Sequence, residues 1–273
     1  DVFVIDWGTP RSEDRFLSFD DVVGRYLRRA ITRAAQAAGS EKVHLLGYCM
    51  GGTMTAIHAA VYPERVASLT TLAAPVAFDD ESLLSTWARE PSFQVDRFVD
   101  AVGNAPWPLL QAAFLMLRPT LNLSKLVFLV DQAFVEQAWN DEFLNGFFAK
   151  ERWANDNVSL PGEVFRTWLS IIYRDDAIMN GKLRLDGHKV DLRNLRMPLH
   201  VVTFEHDYIV PERCAEPLGR LPQSDDIQVT KMRGGHIGAV VSSSAAGRLW
   251  PKLDSFWRER RPSLRIVRES GSI

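Results

Sequence analysis

Lys42-Val-His-Leu-Leu-Gly47-Tyr-Cys49-Met-Gly51-Gly-Thr53 joins a β-like apolar run, Lys42 to Leu46, to a helix-like run from Thr53 to Tyr62. Its centre is a Gly-x-Cys-x-Gly pentapeptide, a nucleophile elbow with cysteine in place of serine. Glycines suit such a place because a sharp strand-to-helix turn brings backbones close and holds its central residue strained. Cys49 is expected to stand exposed at a helix N-terminus, where the positive helix end and a neighbouring imidazole favour a thiolate. The implied chemistry is acyl transfer. The plainer reading, a small buried thiol in a Gly-rich turn, gives way to context: strand before, helix after, partners downstream in the order nucleophile, acid, histidine.

The acid is expected at the end of a later buried strand. Leu199-His-Val-Val-Thr-Phe204 is such a strand and delivers Glu205-His-Asp207-Tyr208 into a loop. Asp207 is the chosen acid, with Glu205 as its rival if the strand ends two residues earlier. A further strand, Ile227-Gln-Val-Thr-Lys-Met232, leads into Arg233-Gly-Gly-His236-Ile-Gly238. The glycines around His236 let a loop set its imidazole over the elbow, where it would take the thiol proton while Asp207 fixes its tautomer. His44, His58, His188, His200 and His206 lack that setting and are read as structural, His44 and His200 within strands.

With these residues in place the chain resembles the polyhydroxyalkanoate synthases, cysteine members of the α/β-hydrolase superfamily. The resemblance runs nearly end to end. It is carried by Asp1-Val-Phe-Val-Ile-Asp-Trp-Gly8, His44-Leu-Leu-Gly-Tyr-Cys-Met-Gly-Gly-Thr53 and Leu72-Ala-Ala-Pro-Val76, then by Arg152-Trp-Ala-Asn-Asp-Asn157, Pro161-Gly-Glu-Val-Phe165, Gly187 to Pro198, and the segments around Asp207 and His236. It implies a Cys49–His236–Asp207 triad that joins 3-hydroxyacyl groups from coenzyme A thioesters into a polyester, releasing coenzyme A through an acyl-Cys intermediate. A hydroxyl of another monomer or of the growing chain then attacks, activated by His236 or by Asp207. If water intercepts the acyl group instead, the enzyme is a thioesterase or esterase.

The resemblance also implies a homodimer, a second non-catalytic subunit as in the short synthases, no cofactor beyond the coenzyme A substrate, and a cytoplasmic place at polyester granules. The compact spacing from His236 to Trp250-Pro-Lys-Leu253 carries the likeness to the short type. Tyr208 stands where the family often has histidine, and His206 precedes the acid. The backbone N–H of Met50 is the expected oxyanion donor, and a second belongs to a loop after an earlier strand. Asp1 to Gly8 reads as a mid-sheet strand, so that loop and the first strands are expected upstream of Asp1. A fragment that is idle by itself and binds a partner or granule is the third expectation.

Composition agrees with a globular α/β domain: 273 residues, 46% hydrophobic and 24% charged, with net charge −2 and so no warrant for nucleic-acid binding. Cys49 and Cys214 are the two cysteines, too few for a disulfide framework, and Cys214 is read as a packing residue near a helix start. No metal-spaced cluster, signal peptide or membrane-length apolar run is visible.

Strand and helix alternate, which predicts a mainly parallel sheet covered on both faces. The first helix is expected over about Asp20 to Ala38, closed by Gly39. Three units follow: core 1–78, an inserted helical cap 79–195, and core 196–273. The cap holds five of the eight tryptophans, Trp87, Trp107, Trp139, Trp153 and Trp168. Most are expected in the cap's own core; some, with Trp153 a candidate, should line an acyl tunnel. Leu109 to Leu117, between Pro108 and Pro119, is expected as a mobile or interfacial helix. Arg258, Arg260, Arg261, Arg265 and Arg268 are read as a solvated end, with a granule or partner contact as the alternative.

Overall fold

The computed structural model describes residues 1–117, 127 and 139–261. A π-helical stretch, Asp20–Tyr26, runs directly into helix α1, Leu27–Ala37. Phe19, Val23, Leu27, Ile31 and Ala35 recur every fourth residue and are buried, so one stripe faces the sheet while the arginines between them face water. Gly39, at φ +60°, ends the helix as expected. Strand β1 (Val43–Tyr48), helix α2 (Met50–Val61) and strand β2 (Val66–Leu72) follow. Every residue of α2 from Gly52 to Ala60 is buried.

After the interruption come a two-residue hairpin, β3 (Arg184–Leu185) with β4 (His188–Lys189), then β5 (Leu199–Phe204) and β6 (Ile227–Met232). The main sheet has the order β1-β2-β5-β6 with all neighbours parallel. Inner strand β5 is buried at all six positions, as a parallel strand covered on both faces must be, whereas Leu46 on β1 and Val229 on β6 are exposed.

The expected strand at Asp1 to Gly8 does not form among the described residues. This stretch is irregular and exposed, Val2 and Val4 about nine-tenths so, because no strand lies beside it to complete a ladder. A second correction concerns the arginine tail. Arg260 is no solvated charge: its guanidinium bonds both carboxylate oxygens of Asp226 at 2.6 and 2.8 Å and lies over the Phe256 ring. Arg258 pairs with Asp254, and Arg265 and Arg268 lie outside the described residues.

Between the two halves of the sheet stand α3 (Leu83–Arg89), α4 (Val95–Val102), α5 (Trp107–Met116), α6 (Asp141–Asn155) and α7 (Gly162–Arg166), the last continuing as a π-helix, Thr167–Arg174. Val95, Val99, Ala105 and Phe165 form a small core of their own. Arg166 ties α7 to α4 through Asp96 and Asp100. Against expectation, most of the tryptophans here are not core residues. Trp168 is buried, but it packs with the main core beside Phe78 and Tyr173, while Trp107, Trp139 and Trp153 are exposed. Leu109, Phe114, Leu115 and Met116 on α5 are exposed as well; Pro119 lies outside the described residues. Leu183, Leu185, Val190, Leu192 and Leu195, read as part of the helical insertion, include the hairpin and belong to the main core.

The turn between β1 and α2 decides where the site can be. Cys49 has φ 52° and ψ −128°, a conformation that non-glycine residues adopt only under constraint. A Cβ on Gly47 would collide with the Cα of Gly52 and with Thr55 Oγ1, and one on Gly52 would stand 2.5 Å from Ala74 Cβ. Gly51, the second glycine of the pentapeptide, meets nothing within 4 Å. The pair that the turn requires is therefore Gly47 and Gly52. Gly47→Ala and Gly52→Ala should each destabilise the fold by about 1–3 kcal/mol or more. Gly51→Ala should lie between neutral and about 1 kcal/mol stabilising, since it adds helix propensity without a clash. Urea unfolding of the three variants checks the difference; a Gly51→Ala loss equal to the others would refute it.

Candidate active site

Four strand ends meet at one edge of the sheet. β1 ends in Cys49, β5 in the Asp207 loop and β6 in the His236 loop, so residues far apart in sequence converge at the carboxyl edge where open α/β sheets hold their ligands. β2, lying between them, ends in Ala73, whose φ of 45° turns the chain away; Thr53 Oγ1 of α2 donates to the Pro75 carbonyl at 2.6 Å.

Asp207 is fixed from two sides. Its Oδ1 accepts the backbone N–H groups of Ile209 and Val210 at 2.9 and 2.8 Å, and its Oδ2 accepts from His236 Nδ1 at 2.6 Å. The carboxylate is fully enclosed and the imidazole nearly so. Nδ1 must carry the proton in that bond, which leaves Nε2 for the interaction with Cys49. Burial alone would lower the affinity of the imidazole for its proton. The hydrogen bond to Asp207, the interaction with Cys49 and the charges of both outweigh it and raise the His236 pKa to about 10. Cys49 itself is partly exposed. Met50 opens α2, where a backbone N–H has no acceptor inside its own helix.

Glu205, the rival acid, does not reach this group. It is exposed and faces Arg233 at 3.8 Å. His44 bonds Ser68, His58 bonds the Val23 carbonyl, and His200 bonds Thr230 from the middle of β5, where burial drives its pKa down to about 4. His188 and His206 are exposed. Trp153 of α6 is half-exposed and stacks on Tyr48, with ring centroids 6.5 Å apart. Among the described residues no group of three or more His, Cys, Asp or Glu is arranged to hold a metal ion, and no helix is long and apolar enough to cross a membrane. A groove of about 600 Å³ lined by Arg25, Arg28, Arg29 and Arg33 runs along α1 and includes none of these site residues.

Two features escaped the sequence. Tyr48 stacks on His236, and its only sequence signal is its place beside Cys49. Cys214, a packing residue as expected, also donates its thiol hydrogen to Asp80 Oδ2 at 2.6 Å. Burial, together with that bond and the carboxylate charge, pushes the Cys214 thiol far up, so it stays protonated.

Residues 2–240 match the family model described as alpha/beta hydrolase fold. The chain is 36% identical over 262 residues to the poly(3-hydroxyalkanoate) polymerase subunit PhaC of Haloferax mediterranei, covering 95% of this chain and 52% of that protein. It is 34% identical to the protein of the same name from Allochromatium vinosum, covering 95% of this chain and 72% of the other. It thus spans about half the length of the first of these relatives. Among solved structures, that of DcsB in complex with its substrate analogue superposes with a TM-score of 0.53 at 15% identity, over 92% of this chain and 78% of that one, a likeness of fold alone. The α/β-hydrolase architecture and the extent of these matches together identify the chain as a member of the poly(3-hydroxyalkanoate) polymerase subunit family within the α/β-hydrolase fold.

Proposed function

We propose that the chain polymerises 3-hydroxyacyl groups from coenzyme A thioesters, with Cys49 as nucleophile, His236 as proton carrier and Asp207 as its orienter. The observation that carries this reading is the 2.6 Å hydrogen bond from His236 Nδ1 to Asp207, with Cys49 interacting with the same imidazole, at the carboxyl edge of the sheet. In the first half-reaction the proton shared by Cys49 and His236 rests on Nε2, as the raised imidazole pKa requires, and Cys49 Sγ attacks the thioester carbonyl carbon. The Met50 N–H faces the developing oxyanion. The carbon–sulfur bond to coenzyme A breaks, and the departing thiolate takes the proton back from Nε2. The acyl group then sits on Cys49 sulfur.

In the second half-reaction a hydroxyl of another monomer or of the chain end attacks that acyl group, and Cys49 leaves as thiolate. His236 rather than Asp207 accepts the hydroxyl proton. Both oxygens of Asp207 are already engaged and its side chain has no exposed surface from which to reach a substrate. A homodimer, a non-catalytic second subunit and a place at the granule surface belong to the same reading. They are supported by the word subunit in the relatives' names and by the exposed apolar side chains of α5.

The direct test is coenzyme A release from 3-hydroxybutyryl-coenzyme A with collection of insoluble product. Release with polymer is expected, abolished in Cys49→Ala and reduced on the order of 10³- to 10⁴-fold in Asp207→Asn. Release accompanied only by free acid would make the protein a thioesterase and sink the polymerase reading. A second expectation concerns pH. The folded state raises the His236 pKa from 6.5 to about 10. The stability this group contributes is therefore complete below about pH 6.5 and is lost as pH rises through about 10. The difference in melting temperature between the wild type and His236→Gln should narrow across that window; a pH-independent difference would contradict the raised pKa.

A further inference from the structure

Tyr48 lies between two rings. Its own ring is stacked on His236, centroids 4.8 Å apart and planes at 29°, and Trp153 of α6 is stacked on it at 6.5 Å and 23°. Its hydroxyl also donates to the backbone carbonyl of His236 at 3.0 Å, bridging 188 positions of sequence. Asp207 holds one ring nitrogen of His236, and a single hydrogen bond leaves the imidazole free to tilt about that axis. A flat ring against its face and an anchor on its main chain remove that freedom.

We propose that Tyr48 is a positioning residue that fixes both the main chain and the ring plane of His236, and that Trp153 ties this clamp to helix α6 of the inserted segment. The inference rests on the proposed role of His236 as proton carrier and adds a residue to it. Burial, with the charges of Cys49 and Asp207 adding to it, raises the phenol pKa, so Tyr48 keeps its proton and remains a donor. The titratable groups set against His236 are thus Cys49 and Tyr48 from the elbow and Asp207 from the β5 loop. The arrangement makes the imidazole responsive to whatever moves α6: displacing Trp153 loosens Tyr48, and Tyr48 loosens His236.

Iodoacetamide alkylation of Cys49 across pH reads the Cys49–His236 coupling without any polymer being made, and coenzyme A release reads turnover. In Tyr48→Phe, which keeps the stack and loses the hydrogen bond, alkylation at pH 7 and kcat should fall about threefold. In Tyr48→Leu both should fall roughly tenfold or more, with KM held and the alkylation pH profile displaced. Trp153→Ala, a change at a half-exposed position, should shift the same profile in the same direction by less. A merely structural Tyr48 would lower the melting temperature and leave the profile and kcat where they were, which overturns the proposal. If Tyr48→Leu does not fold, Tyr48→Phe and Trp153→Ala decide by the same criterion. A wild type that releases no coenzyme A defeats the polymerase reading, while altered alkylation in the variants still upholds the clamp.

Discussion

Backbone packed on backbone at the β1–α2 turn is the constraint on which the rest depends. Gly47 and Gly52 touch where no side chain fits, and that contact holds Cys49 at a positive φ. The conformation costs on the order of 1–3 kcal/mol. It is held by the paired strand before it and by the helix after it, buried from Gly52 to Ala60. Relaxing the turn would swing the thiol away from His236, and the helix would lose its register on the sheet at the same time. Strain and packing here are one device, so the catalytic geometry inherits the stability of the core.

A second consequence follows from where the partners come from. Asp207 and His236 are each delivered by a loop at the end of one of two strands, β5 and β6, that pair in parallel along all six residues, and each loop is stitched to the other: Glu205 N–H donates to the Met232 carbonyl and His206 N–H to the Gly234 carbonyl. The two side chains are therefore positioned by main chain before they meet each other. The 2.6 Å bond between them adds orientation to a placement already made.

What could be read from the sequence was local or periodic. The elbow, the β5 and β6 strands and the first helix with its closing Gly39 each announce themselves locally, and the chain order of Cys49, Asp207 and His236 supplies the rest of the site. Features set by distant neighbours were not legible. Asp1 to Gly8 has the composition of a strand, yet pairing needs a neighbour that its own residues do not encode. Arg260 looked like part of a charged tail because Asp226 is 34 positions away. Gly51 looked as necessary as Gly47 because only coordinates reveal that Gly52 makes the close approach. Tyr48 stacks on a residue 188 positions downstream, and no periodicity reports that.

The pairing of Cys214 with Asp80 bears on how the molecule would fare under oxidants. Its sulfur is buried, its hydrogen is committed to a carboxylate, and its thiolate is disfavoured, so peroxide finds little to react with there. Cys49 is the sulfur left within reach. Oxidative damage to cysteine is thereby funnelled to a single atom at the elbow. Each molecule then carries such damage at one site, with its interior packing unharmed, and a reductant that restores that one thiol restores the whole.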